Sequence, residues 1–429
     1  MNLSLDKNKY ITYNNSIDNY HDHKVLIFLL IIFFISPFTA FLLAVFSQAK
    51  KNSSYVIYFL FGLIFAWHMA PTGSSRYDDL EGIIGDFISI NKSSSDIYED
   101  LIAVITFNPD APKEWYGHAM IWVTKNFSKN YHFYFLFCAV PWLFFELSSL
   151  HRITSDKKFT QSLICIVILI LFVAPRDIIS LQNPRFTTGT WAAIFGTLGF
   201  FLSNKKIPYL LCILITPLIH SAFWFYIIAF IGGMVMKSYP KISILLLYAS
   251  IPFSFLSYDL LFSIDFTVLP LPTVMTLWIN NYLSEEKYSE FILQEGASGF
   301  HWVSTMFSFI MKCAYLIVPL YIIKYRDKIS NNAHLWNLCS YFIFFFALVS
   351  FIQFVPVLGE RFYWLIRILA IFIWFKAIYP KHNWVIWLIF IGCSWDFFKR
   401  YFYKGAVSSS VPTEIFWESL PMAIMDGFN

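Results

Sequence analysis

The sequence predicts an all-α, polytopic membrane protein with about twelve transmembrane helices, within a range of about eleven to fourteen. Three observations predict it. The 429-residue chain is 58% hydrophobic and only 14% charged, with a mean hydropathy of +0.58, whereas a soluble domain carries about 25% charged residues. Its apolar residues are gathered into segments such as Val25–Ser47, Trp302–Ile323, Leu335–Val355 and Phe362–Tyr379, close to the roughly 20 residues a helix needs to cross hydrocarbon. The short linkers between these segments alternate in charge: every second one is basic.

Backbone inside a bilayer must satisfy its own hydrogen bonds, which leaves helices or a closed barrel. The apolar runs are continuous rather than alternating, so they read as helices. Residues 1–24 are polar, with no cleavable apolar region ahead of the first span. Val25–Ser47 exceeds the length of such a region and reads as a retained helix. Spans are expected near 25–48, 55–70, 131–147, 159–175, 187–203, 207–220, 221–236, 242–257, 302–323, 336–356, 362–379 and 384–397. The whole chain, 1–429, reads as one integral membrane domain.

Orientation follows from the linkers. Lys50-Lys51, Arg152 to Lys158, Lys205-Lys206, Lys237 to Lys241, Lys324 to Lys328 and Lys376 to Lys381 are opposed only by Asp156 and Asp327. By the positive-inside rule they face the cytoplasm. Residues 71–130 carry nine Asp/Glu against five Lys/Arg, and residues 258–301 carry six against Lys287 alone. These are the first and second outer loops, and alternation then places the N-terminal segment outside. Residues 207–236 must cross twice, with an outer turn at Pro217 and His220. Residues 115–127 are too short to span and read as an amphipathic helix at the outer interface. Such short or broken helices gathered at one face suggest a cavity there. No internal repeat is visible, which counts against inverted-repeat transporters.

Composition excludes other classes. The net charge of +4 is dispersed and makes no nucleic-acid-binding patch. Cys138, Cys165, Cys212, Cys313, Cys339 and Cys393 all lie in apolar runs and read as small buried hydrophobes, without metal-site spacing. There is no phosphate-binding Walker loop, dinucleotide fingerprint or zinc-helix motif. No cofactor and no metal are expected, so any transfer draws on an activated substrate.

Four clusters on the outer side are candidates for chemistry. Arg76, with Asp78 and Asp79, follows a glycine just past the second span; it suits an anionic headgroup, with a carboxylate as hydroxyl-binding group or base, or a solvated turn. Arg176 and Arg185 sit in the linker before the helix that opens near Thr187. Their planar forks suit phosphate or interfacial snorkelling. His220 stands at the turn of the broken hairpin, as a structural residue or a proton acceptor. Glu360, Arg361 and Tyr363 are followed by Arg367, about 9 Å deeper along a helix. A charge inside an apolar helix is a functional candidate by default. In the loop 258–301, Tyr258, Trp278, Tyr282 and Tyr288 stand among carboxylates, which suits sugar rings or an interfacial aromatic belt.

In layout these residues resemble the EpsG/Wzy-like family of bacterial polysaccharide polymerases. The shared features are Arg76 with Asp78, Arg185 opening a helix ahead of Lys205-Lys206, His220 at the outer end of the next helix, and Arg361 beside Tyr363. Glu114-Trp115-Tyr116 followed by Tyr131 also resembles the continuation of the family's first loop. Only Tyr77 separates Arg76 from Asp78, where the family usually has a glycine, and this leaves Asp78 and Asp79 as alternatives. The resemblance implies a GT-C-like glycosyltransferase in the bacterial inner membrane, acting at the periplasmic face. Its substrates are expected to be oligosaccharide repeat units on undecaprenyl diphosphate, with a chain-length regulator as a partner. Arg185, Arg361 and Arg367, then Arg76 and Arg176, are expected to bind the diphosphate, beside Tyr363. Asp78 and His220 are candidates for the base, with Glu360 in reserve. Rival classes are a lipid-linked oligosaccharide flippase, an O-antigen ligase and a membrane acyltransferase.

Overall fold

The computed structural model describes residues 22–48, 52–69, 79–106, 108, 111–112, 114–173, 183–255, 301–353, 358–398 and 416–426. Every regular element among them is helical. In chain order these are α1 (22–35), α2 (Pro37–Gln48), α3 (Asn52–Trp67), α4 (Asp79–Ser89), α5 (Ser94–Ile105), α6 (Trp115–Lys125), α7 (His132–Thr154), α8 (Leu163–Val173) and α9 (Pro184–Leu202). They continue with α10 (Ile207–Leu214), α11 (Thr216–Ile219), α12 (Phe223–Met236), α13 (Pro240–Ser250), α14 (His301–Lys324), α15 (Ala333–Ile352), α16 (Leu358–Ile373), α17 (Trp384–Phe398) and α18 (Leu420–Asp426). A 3-10 turn at Pro252–Phe255 extends α13, and a π turn at Trp374–Ile378 ends α16.

Local chemistry marks the helix starts. Prolines open α2, α9 and α13, where the missing N–H costs nothing. The side chains of Ser36, Asn183 and Asn332 accept first-turn N–H groups from Thr39, Phe186 and Leu335 at 3.3, 3.0 and 3.1 Å. Ser93 and Asp96 form a reciprocal capping box at α5. The Ser93 N–H holds the Asp96 carboxyl below its usual range.

Among the described residues, three helices are long and apolar enough to cross a membrane: His132–Thr154, Thr305–Lys324 and Ala333–Ile352. Seven shorter apolar helices of 10–17 residues accompany them. Some boundaries differ from the expected ones. The third span runs on to Thr154 and takes Arg152 into its last turn. The eleventh begins at Leu358 rather than 362. The short helix expected over 115–127 is α6, over Trp115–Lys125, and α4 and α5 precede it.

The chain forms two compact units. One comprises Met1–Ile166, Ile178–Thr188 and Lys404–Asn429; the other comprises Val167–Asp177 and Gly189–Tyr403.

In the first unit α3 and α7 lie antiparallel. Tyr55 bonds to Thr154 at one end, and His132 Nδ1 meets the Trp67 carbonyl at 2.5 Å at the other. The end near Thr154 carries Arg152 to Lys158. The Trp67 end gathers α4, whose Phe87 lies 6.3 Å from Tyr134, and α18, whose Ile424 carbonyl accepts from Trp67 Nε1 at 3.2 Å. The two ends therefore separate the Arg152 to Lys158 linker from α4 and α18.

The expected first span, 25–48, is corrected. Pro37 has no N–H to continue the helix, and the chain breaks at Ser36 into α1 and α2. At 1.5 Å per residue the two helices in line would extend about 39 Å. Yet Ser53 Oγ, at the start of α3, donates to Asp22 Oδ1 at 2.7 Å, and the five residues from Gln48 to Ser53 reach at most about 17 Å. The chain must therefore fold back at Ser36-Pro37. At that bend Phe38 meets Phe61 at 6.1 Å, about 14 Å above Asn52, short of the roughly 30 Å hydrocarbon. α1 and α2 thus make a short hairpin of re-entrant form, with both outer ends beside the N-terminal end of α3.

In the second unit α15 packs against α12, α13 and α16, while α14 packs against α17. Tyr226 bonds to Thr197 and to the Ala193 carbonyl, joining α12 to α9. His334 Nδ1 meets the Phe201 carbonyl at 2.9 Å, and Tyr325 Oη meets His382 Nε2 at 2.6 Å. These contacts tie together linkers that carry basic residues. The start of α16 is set by a close approach. A Cβ on Gly359 would lie 2.5–2.7 Å from the Ile352 carbonyl oxygen and from the Gln353 Cα and carbonyl oxygen, all backbone atoms that cannot swing away.

Two outcomes are expected. In a background lacking the native cysteines, Lys24→Cys and Asn52→Cys label from one side of the membrane and Ser93→Cys and Trp417→Cys from the other; labelling of Lys24→Cys with the second pair would refute the re-entrant pair. Gly359→Ala lowers the thermal midpoint of the purified protein by an overpacking cost of about 1–3 kcal/mol. Gly82→Ala, whose Cβ meets nothing within 4 Å, does not.

Candidate functional site

Arg76, Asp78 and Arg176 lie outside the described residues. The remaining predicted residues fall into one group in each unit.

In the first unit Asn183 caps α9 and Pro184 opens it, which places Arg185 in the first turn. Gly117 of α6 lets the arginine lie against that helix: a Cβ there would meet Arg185 Cδ at 3.2 Å. Arg185 Nη1 pairs with Glu114 Oε2 at 3.1 Å, with the Glu114 side chain 8% exposed and the arginine 28%. Glu114 is also the N-cap residue of α6, with extended backbone. Tyr134 and Cys138 of α7 lie within electrostatic reach of the guanidinium. Burial pushes the Tyr116 phenol well above its usual range, so this side chain remains neutral.

The same unit holds a second polar group. Asp100 Oδ2 lies 2.5 Å from Lys92 Nζ and 2.9 Å from His118 Nδ1. Trp115 Nε1 donates to the Ile97 carbonyl at 3.0 Å, and Lys125 Nζ to the Ile90 carbonyl at 2.5 Å. α6 is thereby tied to α5 and to the chain leaving α4. Among the described residues, no three His, Cys, Asp or Glu side chains gather as a metal site requires.

In the second unit His220 follows α11 in extended conformation, as the expected outer turn requires, and its Nδ1 accepts the Ala222 N–H at 3.2 Å. Its ring lies 6.3 Å from that of Phe223, and Phe223 lies 6.0 Å from Phe362. The structure thus brings the His220 turn beside the first turns of α16, which carry Glu360, Arg361 and Tyr363. Arg361 and Arg367 do not share a face. Six residues at 100° each leave them about 120° apart around the helix. Glu360, Tyr363 and Arg367, at i, i+3 and i+7, form one stripe. Arg367 lies over Tyr363 and Tyr315, its guanidinium carbon 5.0 and 5.8 Å from the ring centroids.

Two residues at these sites were not predicted. Glu114 was named only within the Glu114-Trp115-Tyr116 segment of the resemblance, with no role given to its carboxylate. Lys312 of α14 stands one turn before Tyr315, whose ring centroid lies 5.8 Å from the Arg367 guanidinium carbon. Its signal was a lone charge near the middle of an expected span, diluted there by apolar neighbours.

The family model described as EpsG family matches residues 94–412. That range includes Arg176, Arg185, His220, Glu360, Arg361, Tyr363 and Arg367 and excludes Arg76 and Asp78. No curated protein and no solved structure matches the chain. The matched range covers well over half of a chain whose described residues are helical and rich in apolar segments; the protein belongs to the EpsG family, the Wzy-like polysaccharide polymerase family.

Proposed function

We propose that this membrane protein is a GT-C-like, metal-independent glycosyltransferase that polymerises polysaccharide repeat units. It transfers the growing glycan from undecaprenyl diphosphate to a lipid-linked repeat unit at the outer face of the bacterial cytoplasmic membrane. The observation that supports this most directly is that arginines within the family-matched range are built into the fold rather than left as solvated loop charges. Arg185 is ion-paired to a buried carboxylate, and Arg367 lies over two tyrosine rings.

The chemistry asks for such groups. An acceptor hydroxyl attacks the anomeric carbon of the growing chain, the bond from that carbon to the diphosphate oxygen breaks, and its electron pair leaves on the diphosphate. Fixed cations stabilise the charge that develops there. Arg185 in the first unit and Arg361 and Arg367 in the second are each first candidates for this role, with Arg76 and Arg176 next. Arginine's planar fork allows Arg185 to hold Glu114 through one edge and a phosphate oxygen through another. The hydroxyl proton passes to Asp78 or His220, with Glu360 in reserve.

The proposed topology has eleven crossings: α3, α7, α8, α9, the α10–α11 pair, α12, α13, α14, α15, α16 and α17. The re-entrant α1–α2 pair then sits on the cytoplasmic side, and residues 416–426 lie outside. A chain-length regulator would meet the protein at its outer loops.

Deleting the gene and resolving surface and lipid-linked glycans on a gel tests this function. A single capped repeat in the deletion, a full ladder with wild type and one repeat again with Arg361→Ala is the expected result. Lipid-linked units stranded on the inner leaflet would instead identify a flippase, and long lipid-linked chains outside a ligase. A second series separates fold from function at the ion pair. Arg185→Ala leaves Glu114 buried without this partner and lowers stability by about 1–3 kcal/mol. Adding Glu114→Ala restores the thermal midpoint but not the ladder, whereas a full ladder from the double variant would remove Arg185 from the mechanism.

A further inference from the structure

α14 and α17 lie antiparallel in the second unit. Phe307 stacks on Trp395 at 5.1 Å toward one end, and Tyr321 meets the His382 ring at 4.5 Å at the other. That second end brings together two linkers, the one leaving α14 at Lys324 and the one entering α17 at Trp384. His382, in left-handed backbone at φ 55°, bonds through Nε2 to Tyr325 Oη, and Tyr325 stacks on Tyr321 at 6.0 Å and 9°. The three half-buried rings make one aromatic platform.

Cations crowd this platform. Lys324 Nζ lies 5.7 Å from the Tyr321 ring centroid, and the Nζ atoms of Lys328 and Lys381 lie 6.0 and 5.7 Å from that of Tyr325. All three lysines are exposed. Among the described residues no carboxylate lies within 4.0 Å of any of them, Asp327 of the same linker included. A ring face attracts an ammonium without supplying an opposing formal charge. Lysines from two linkers thus converge on one ring, and their mutual repulsion is relieved by an anion.

A second observation identifies the kind of anion. Trp384, Trp387 and Ile391, at i, i+3 and i+7, share one face of α17 and are 52%, 37% and 54% exposed. They belong to an apolar helix of the membrane protein, and an exposed apolar stripe of this kind marks contact with lipid. The stripe begins three residues after Lys381 and runs about 10 Å along the helix, away from the cations. A water-soluble phosphate has no use for it, and a zwitterionic lipid brings no net charge to the lysines.

We infer that this end of α14 and α17 is a binding site for an anionic glycerophospholipid. The headgroup phosphate sits among Lys324, Lys328 and Lys381, and an acyl chain lies along Trp384, Trp387 and Ile391. Trp384 stands where the two meet, a level that suits its amphipathic ring. The site is independent of the glycosyl transfer and uses none of the residues assigned to it.

The test uses the purified full chain in detergent, titrated with dioleoyl phosphatidylglycerol, with retained lipid read by native mass spectrometry. Wild type is expected to bind it about tenfold or more tightly than phosphatidylcholine with the same chains. Lys328→Gln combined with Lys381→Gln is expected to weaken phosphatidylglycerol binding by about tenfold or more, whereas arginine at both positions stays within about threefold of wild type. Both lysines are exposed, so the lipid-free thermal midpoint of these variants should match wild type and lost binding reports the site. Lys205→Gln, which removes an exposed cation from another linker, is expected to leave binding unchanged. An equal loss from Lys205→Gln would reduce the effect to general charge and overturn the site. Equal binding of phosphatidylcholine, or unchanged binding by the double glutamine variant, would overturn it as well. Glycerol phosphate is expected to compete poorly; displacement by it at equal concentration would overturn the lipid and leave a phosphate site. Displacement by undecaprenyl diphosphate at a lower concentration than unlabelled phosphatidylglycerol needs would overturn the glycerophospholipid in favour of a polyprenyl one.

Discussion

A charged side chain among apolar helices has to be held by something, and the rest of this structure depends on how that is done. Three solutions appear. Arg185 is held by a buried carboxylate, Arg367 by two tyrosine faces and Lys312 by a backbone carbonyl. They differ in what they leave for a ligand. The carboxylate neutralises its arginine, whereas neither the rings nor the carbonyl supplies an opposing formal charge.

Placing these groups requires interruptions in otherwise regular helices, and each has a local cause. Pro184 and Asn183 open α9 so that Arg185 falls in its first turn. Pro217 and the extended backbone of His220 break the hairpin beside Phe362. Gly359 lets α16 start against the end of α15, which sets the level of Glu360 and Arg361. Gly117 does the same on a smaller scale by letting the arginine stem lie on α6. The apolar helices around these points supply the packing, and the breaks supply the positions.

Much of this was legible in the chain. Linker charge alternates along the chain, and in the first unit the Arg152 to Lys158 linker lies at one end of α3 and α7 with α4 and α18 at the other. The outer turn at His220, the short helix α6 and the embedded Arg367 were visible from residue types and spacing. Other features were not. Val25–Ser47 has the composition of a span, and only the Ser53–Asp22 contact reveals the fold-back. Arg361 and Arg367 read as one cluster along the chain, yet the helix turns them to different faces. Lys312 was hidden because averaging over an apolar segment dilutes a single charge.

By itself the sequence determined the helical membrane class, the division into apolar segments and linkers, and the alternation of linker charge. These depend on local composition, which a bilayer reads directly through burial of apolar surface and exclusion of charge. Only the tertiary structure decided which cation meets which partner. Glu114 and Arg185 are 71 positions apart. Their pairing depends on how helices pack and on their rotation about their own axes, and helix rotation is set by side-chain contacts from distant segments rather than by the hydropathy of any one of them.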